Sequence, residues 1–187
     1  LNLNPYGDAL ITTINLINIL NEIDLNKYNV SSYVAKKLDS LDVIVDTVNP
    51  LVAINSGFFD AQNNKTASFV YNDGKLVVSP EDNENLIANP QLKKHLQNIF
   101  NRGELRILYC GRQIKADVAF HNTPIPRTCM LVNSAQAGPI LLPNMDLEQE
   151  YFIEKDNNNI VVRDSIGVYK KTARSAVALK KNDLYFV

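Results

Sequence analysis

The sequence predicts an α+β fold: a mixed, largely antiparallel β-sheet with two or three packed helices, in a single domain. Three observations carry this. Short runs rich in Val, Ile, Thr, Tyr and Phe recur along the chain, roughly nine of them, separated by clusters of Asn, Asp, Gly and Pro. Apolar residues at helical spacing occur in only two or three stretches. The two kinds of segment do not alternate as strand, helix, strand, helix, which argues against a doubly wound parallel sheet.

Residues 10–19, "LITTINLINI", read as the first strand. Residues 30–41, "VSSYVAKKLDSL", read as a helix capped by Ser31 or Ser32, with Val34, Leu38 and Leu41 on one face. Residues 42–50, "DVIVDTVNP", fit either a strand or a short helix; Asp42 can cap it and Pro50 ends it. Leu51 to Ile54 reads as a short buried strand delivering the chain to Asn55. In residues 67–79, "ASFVYNDGKLVVS", two apolar runs flank Asn72-Asp73-Gly74 and predict a β-hairpin. A helix follows over 89–103, with Asn89 as cap, Pro90 at its first position and Gly103 as stop. Its buried stripe is Leu92, Leu96, Ile99 and Phe100. Residues 104–120 predict a strand pair turning near Gly111-Arg112, and residues 128–143 a strand that breaks at Gly138-Pro139. Residues 157–164 and 172–187 supply further strands, the last two joined by a turn at Lys181-Asn182-Asp183.

The bulk properties narrow the function. The chain has 187 residues, enough for one domain with a proper core. Its 19 basic and 20 acidic residues leave a net charge of -1, which offers no electrostatic case for nucleic acid or an anionic membrane as partner. No apolar stretch reaches the ~20 residues of a membrane span. The first residue is Leu1, which allows for a leader or pro-segment removed from the mature chain. Cys110 and Cys129 can form one bridge or remain two thiols. They have no CxxC partner and no histidine pair at zinc spacing, so neither a metal nor a cofactor is expected. His95 reads as a surface residue in mid-helix. His121, in a loop, reads as structural, with acid–base chemistry as the alternative.

Polar groups interrupt apolar runs at three places. These are "INSGFFD" with Asn55, Ser56, Gly57 and Asp60; "NSAQAGPILLP" with Gly138 and Pro139; and "KKTARSAVAL" with Arg174 and Ser175. Each has a structural explanation: a tight turn, a sheet-edge bend, a marginal ion pair. Together they also make a recognition set. An arginine and glycine-adjacent amides suit phosphate, an amide and a carboxylate suit sugar hydroxyls or proton transfer, and Phe58 and Phe59 can wall a sugar face.

The same three segments resemble the phosphodiester glycosidase family. "AINSGFFD" is similar to its Ala-Ile-Asn-Gly-Gly-Phe-Phe-Asp signature, "AQAGPILLP" to its Gln-x-Gly-Pro-x-Leu segment, and "RDSIGVYKKTARSAVAL" to its Arg-Ser/Thr-Ala strand. They occur in the family's order over roughly residues 45 to 187. The resemblance implies a single domain spanning 1–187 that hydrolyses a sugar-1-phosphodiester in an envelope or secreted glycan, in the periplasm or outside the cell. It implies Asn55, Asp60 and Arg174 as catalytic residues, with Gly57, Phe58, Gly138, Pro139 and Ser175 binding substrate. Arg174 is the expected phosphate ligand because a guanidinium matches phosphate in two-pronged fashion. An inactive, glycan-binding member of the family or a structural envelope protein is the alternative. Ser56 stands where the family has its first glycine. The family's Asp-Gly-Gly-x-Ser segment does not occur before Val187: either this chain is incomplete, that piece is a separate chain, or the domain lacks that part of the catalytic apparatus.

Overall fold

Short local turns set the sheet architecture. Asp73 and Gly74 both take positive φ (49° and 71°), the twist-matched geometry of a two-residue hairpin, and join β2 (Val70–Asn72) to β3 (Lys75–Val78). Gly111 and Arg112 (φ 52° and 79°) join β4 (Gly103–Cys110) to β5 (Gln113–Phe120) in the same way. Lys181, at φ 58°, opens the turn between β9 (Val177–Lys180) and β10 (Asp183–Phe186). The computed structural model of the chain describes residues 23–25, 27–35, 40–172 and 174–186. The strand expected at 10–19 lies outside them.

One five-stranded sheet has the order β3-β2-β6-β4-β5, with β6 (Cys129–Gln136) inserted between sequence-distant neighbours. A three-stranded sheet has the order β1-β10-β9, where β1 is Ile23–Asp24. β7 (Ile153–Lys155) and β8 (Val161–Asp164) form a separate ribbon. Every strand pair among the described residues is antiparallel. With helices α1 (Leu41–Val48), α2 (Glu84–Ala88) and α3 (Leu96–Phe100), the architecture is α+β in a single domain, as the sequence predicts. No helix among the described residues is long and apolar enough to cross a membrane.

Strand alternation decides what each face of the large sheet meets. Leu105 and Ile107 of β4 face a core made with Leu25, Ala116 and Leu184, sealed by Leu179 and Phe186 of the small sheet. Glu104 and Arg106, in the alternate positions, are 4% and 2% exposed. Arg106 is bonded two-pronged to Asp117 across the strands (2.7 and 2.6 Å) and to the Thr123 carbonyl. A second cluster joins Leu86, Ile99 and Tyr151 with Leu92, Leu96 and Phe100, so the predicted stripe of residues 89–103 is its inner face.

Several local expectations are corrected. Residues 30–35 are not helical: Val30 accepts a hydrogen bond from Asn133 Nδ2 (2.7 Å) and Ser32 donates to the Ser134 carbonyl (3.1 Å), which lays the segment along β6. The helix begins at Leu41 instead and resolves "DVIVDTV" as helical; Asn49, left-handed at φ 50°, ends it just before Pro50. Leu51 to Ile54 joins no ladder, and Leu51 is 61% exposed. The helix of residues 89–103 divides into a 3₁₀ turn, Lys93–His95, and α3; Asn89 is not its cap but follows α2, its side chain accepting from Gln91 N (2.9 Å) in the turn before the 3₁₀ segment. α2, not anticipated, is capped by Asn83, whose side chain accepts from Leu86 N. Cys110 and Cys129 are directly opposite in β4 and β6 and form a disulfide.

Candidate functional site

Beyond α1 the chain bends at Leu51 and Val52 and runs without regular structure to Gly57, whose φ of +79° precedes a small hairpin. Phe58 N donates to Ser68 Oγ (2.8 Å), Ala67 N donates back to the Phe58 carbonyl (2.7 Å), and Phe59 bridges Thr66. Asp60 closes this hairpin. Its carboxylate accepts from Gln62 N (2.8 Å) and its carbonyl from Asn64 N (2.7 Å). Asp60 is therefore committed to turn chemistry, and it is not among the residues lining the adjoining cleft.

That cleft, of about 2030 Å³, is lined by Asn55, Gly57, Phe58, Gly138, Pro139, Arg174 and Ser175 among others. The three sequence-distant segments thus share one concavity. Asn55 presents Oδ1 as a buried acceptor with no hydrogen-bond partner among the described residues. Arg174 donates through Nη2 to the carbonyls of Ile166 (2.8 Å) and Gly167 (2.7 Å). Both partners are neutral, so among the described residues its charge is not matched by a bonded carboxylate. Asp164 shapes the same loop by accepting from Ile166 N and Val168 N, and these backbone bonds hold its carboxyl below the usual carboxylate range. Gln136, fully buried, is a cross-link: its amide bonds Phe69 N and the Phe100 carbonyl.

Residues that no motif flagged support this concavity. Phe58 packs on Phe152 (centroids 5.4 Å apart), and the Arg102 guanidinium stacks on both rings, 4.1 Å from Phe152 and 5.4 Å from Phe58. Arg102 donates to the carbonyls of Glu150 (3.0 Å) and Tyr151 (3.4 Å). Burial, followed by the charge of Arg163, pushes the Arg102 pKa down to about 10 against the pull of Glu150. Glu150 is 1% exposed, and its two carboxylate oxygens accept from Gly103 N and Ile140 N, each at 2.7 Å. Burial raises its pKa, opposed by those two N–H groups and by Arg102, while Asp146 adds to the rise.

The surface expectation for His95 is corrected, while His121 has partners that fit a structural role. His95 is packed, not a surface residue: its ring stacks on Tyr151 at 3.7 Å, with Nε2 3.7 Å from Glu154 Oε1. The Tyr151 hydroxyl donates to Glu154 Oε2 (2.6 Å), and burial, then that bond, pushes the phenol up to about 12. His121 bonds buried Glu104 through Nδ1 (2.9 Å) and lies flat on Phe69 at 4.1 Å. No group of His, Cys, Asp or Glu able to hold a metal ion occurs among the described residues.

No motif points to Arg102 or Glu150, and Glu150 is one of four carboxylates in the stretch "DLEQEYFIEK", with nothing local to single it out. The usable signal was indirect: glycine at 103 and 138, on the segments that touch the carboxylate. Neither a family model, nor a curated protein, nor a solved structure matches the chain.

Proposed function

We propose that the cleft binds a sugar-1-phosphodiester and hydrolyses it at the glycosidic bond. Water adds to the anomeric carbon, the bond from that carbon to the phosphate oxygen breaks, and a free sugar and a phosphomonoester leave. The observation that carries this reading is Arg174: a cleft-lining guanidinium whose bonded partners are neutral carbonyls keeps its charge for an anionic ligand. Asn55 supports it, since an unpartnered buried acceptor is suited to a sugar hydroxyl. The Cys110–Cys129 disulfide favours an oxidising location, in keeping with a periplasmic or secreted protein.

The test incubates the protein with the methyl phosphodiester of N-acetylglucosamine 1-phosphate and follows release of free sugar by NMR. Arg174→Ala is expected to lower turnover about 10- to 100-fold with the fold retained, from the 1.5–3 kcal/mol of a charged hydrogen bond. Unchanged turnover in that variant removes Arg174 from the site. One observation favours a second reading, glycan binding without turnover. The motifs supply two carboxylates, Asp60 and Asp164, and each is bonded to backbone N–H groups within its own turn or loop. Saturable binding of the diester with no sugar released would select that reading.

A further inference from the structure

We infer that Glu150 is a positioning residue for the cleft: its carboxylate, accepting from Gly103 N and Ile140 N at once, fixes the Gly138–Pro139 corner that lines the ligand site. The inference rests on the cleft being that site, and the geometry of the clamp stands independently of it.

Both oxygens of Glu150 are spent on backbone N–H groups from two separate segments, the start of β4 and the residue after Pro139. A carboxylate that bridges two backbones in this way sets their separation, because both bonds are short and charge-assisted. The surroundings are cleared for it. A Cβ placed on Gly138 would overlap Glu150 Oε2 and press the Phe152 ring, and a Cβ on Gly103 would overlap the Ile140 side chain. Glycine at both positions is what lets the carboxylate reach both segments. Ala137 N also bonds the Gly103 carbonyl (2.9 Å), so the corner is tied to β4 on two sides of the same residue.

The charge of the clamp is balanced but not consumed. Arg102 directs its donors to the Glu150 and Tyr151 carbonyls, its plane held by Phe152, and acts on the carboxylate through its field. Asp146 acts in the opposite sense, and Arg163 weakens Arg102 by repulsion. Burial makes ionised Glu150 easier to neutralise than a surface glutamate. A neutral carboxyl is a weaker acceptor for both N–H groups, so acidification loosens the corner before it affects ordinary carboxylates.

The experiment compares wild type with Glu150→Gln. The isosteric amide has one acceptor, so its NH₂ faces one of the two N–H donors. At pH 7, exchange of the Ile140 or Gly103 amide is expected to accelerate about tenfold or more, while Ile107 and Leu108 stay as in wild type. Affinity for the methyl phosphodiester of N-acetylglucosamine 1-phosphate should fall as wild type is acidified and be flat with pH in the variant. A structural role alone would not move that pH profile. Unchanged exchange at both amides, or a pH profile surviving in Glu150→Gln, overturns the inference. If the variant does not fold, the wild-type amide shifts decide. Gly103 and Ile140 should titrate together with one midpoint above the ordinary glutamate range, and separate or absent titrations overturn the inference. If wild type never binds the diester while both amides titrate and open as expected, the phosphodiester reading fails and the clamp stands.

Discussion

Asn55 and Gly138 show at single-residue scale how stability and site chemistry diverge. A buried acceptor without a partner costs about 1–3 kcal/mol in the folded state, and Asn55 Oδ1 is such an acceptor. Asn55→Ala is therefore expected to leave urea-unfolding stability within about 0.5 kcal/mol of wild type or above it, while weakening binding of the diester. A loss near 2 kcal/mol in that variant would show Asn55 to be a structural group. Gly138 behaves oppositely. At φ +70° an alanine is strained by about 1–2 kcal/mol, and its Cβ would also displace the Glu150 carboxylate and the Phe152 ring. Gly138→Ala should destabilise by about 3 kcal/mol or more, read as a fall in the urea midpoint. The sequence exposed Asn55, Gly57 and Gly138 because each breaks an apolar run. It misdirected the reading of Asp60, whose neighbours in the chain look catalytic but whose bonds are those of a turn. Glu150 was hidden because its burial comes from Gly103 and Ile140, both distant in sequence or beyond a loop.

Elements that depend on adjacent residues were legible, and those that depend on a distant partner were not. The Asp73-Gly74, Gly111-Arg112 and Lys181-Asn182 turns carry their own conformational preferences, so the three hairpins follow from local chemistry. The helix expected over residues 30–41 failed because Val30 and Ser32 are claimed by β6, one hundred and more positions away in the chain. Leu51 to Ile54 failed for a related reason: β-favouring residues make a strand only where an open edge meets them. The pairing of β4 with β6 is the non-local contact that the disulfide reinforces. Cys110 and Cys129 are in register at the end of both strands, separated by 19 positions, with β5 between them. Closing a loop of that size is worth about 3 kcal/mol in the chain-entropy account. The double variant Cys110→Ala, Cys129→Ala should lose stability of that order. Thiol reduction of wild type should lower its melting temperature alike, and a melting temperature unmoved by reduction would assign the sheet's stability to packing alone.

For the whole molecule, the class of fold was readable and the strand order was not, because β6 enters between β2 and β4 through pairs such as Tyr71 with Ser134 and Arg106 with Ser134. The helix-side cluster, where Tyr151 meets Leu86 and Ile99, adjoins Glu150 in the chain. Glu84, Glu154 and Asp164 have depressed folded values, caused first by the bond from Lys65, by Tyr151 and by Val168 N respectively. Their contributions are present above the ordinary carboxylate range and are lost as pH falls through the depressed values. Glu84 is exposed and Glu154 and Asp164 are half-buried but open to solvent, so screening keeps these contributions small. Glu150 runs the other way. Its folded value is raised, chiefly by burial, so the native state holds the proton more tightly than the unfolded chain. Its contribution is complete below about pH 4.3, the ordinary glutamate value, and declines as pH rises through the raised one. Glu150→Gln removes this titration without removing the side chain's volume. Urea unfolding of both proteins across the acidic to neutral range should therefore show wild type's advantage over the variant greatest at the acidic end and shrinking toward neutrality. An advantage that grows with pH would mean that the two N–H bonds outweigh burial at Glu150. The clamp would then be tightest and most stabilising in the same ionised state, with no trade between holding the fold and holding the site.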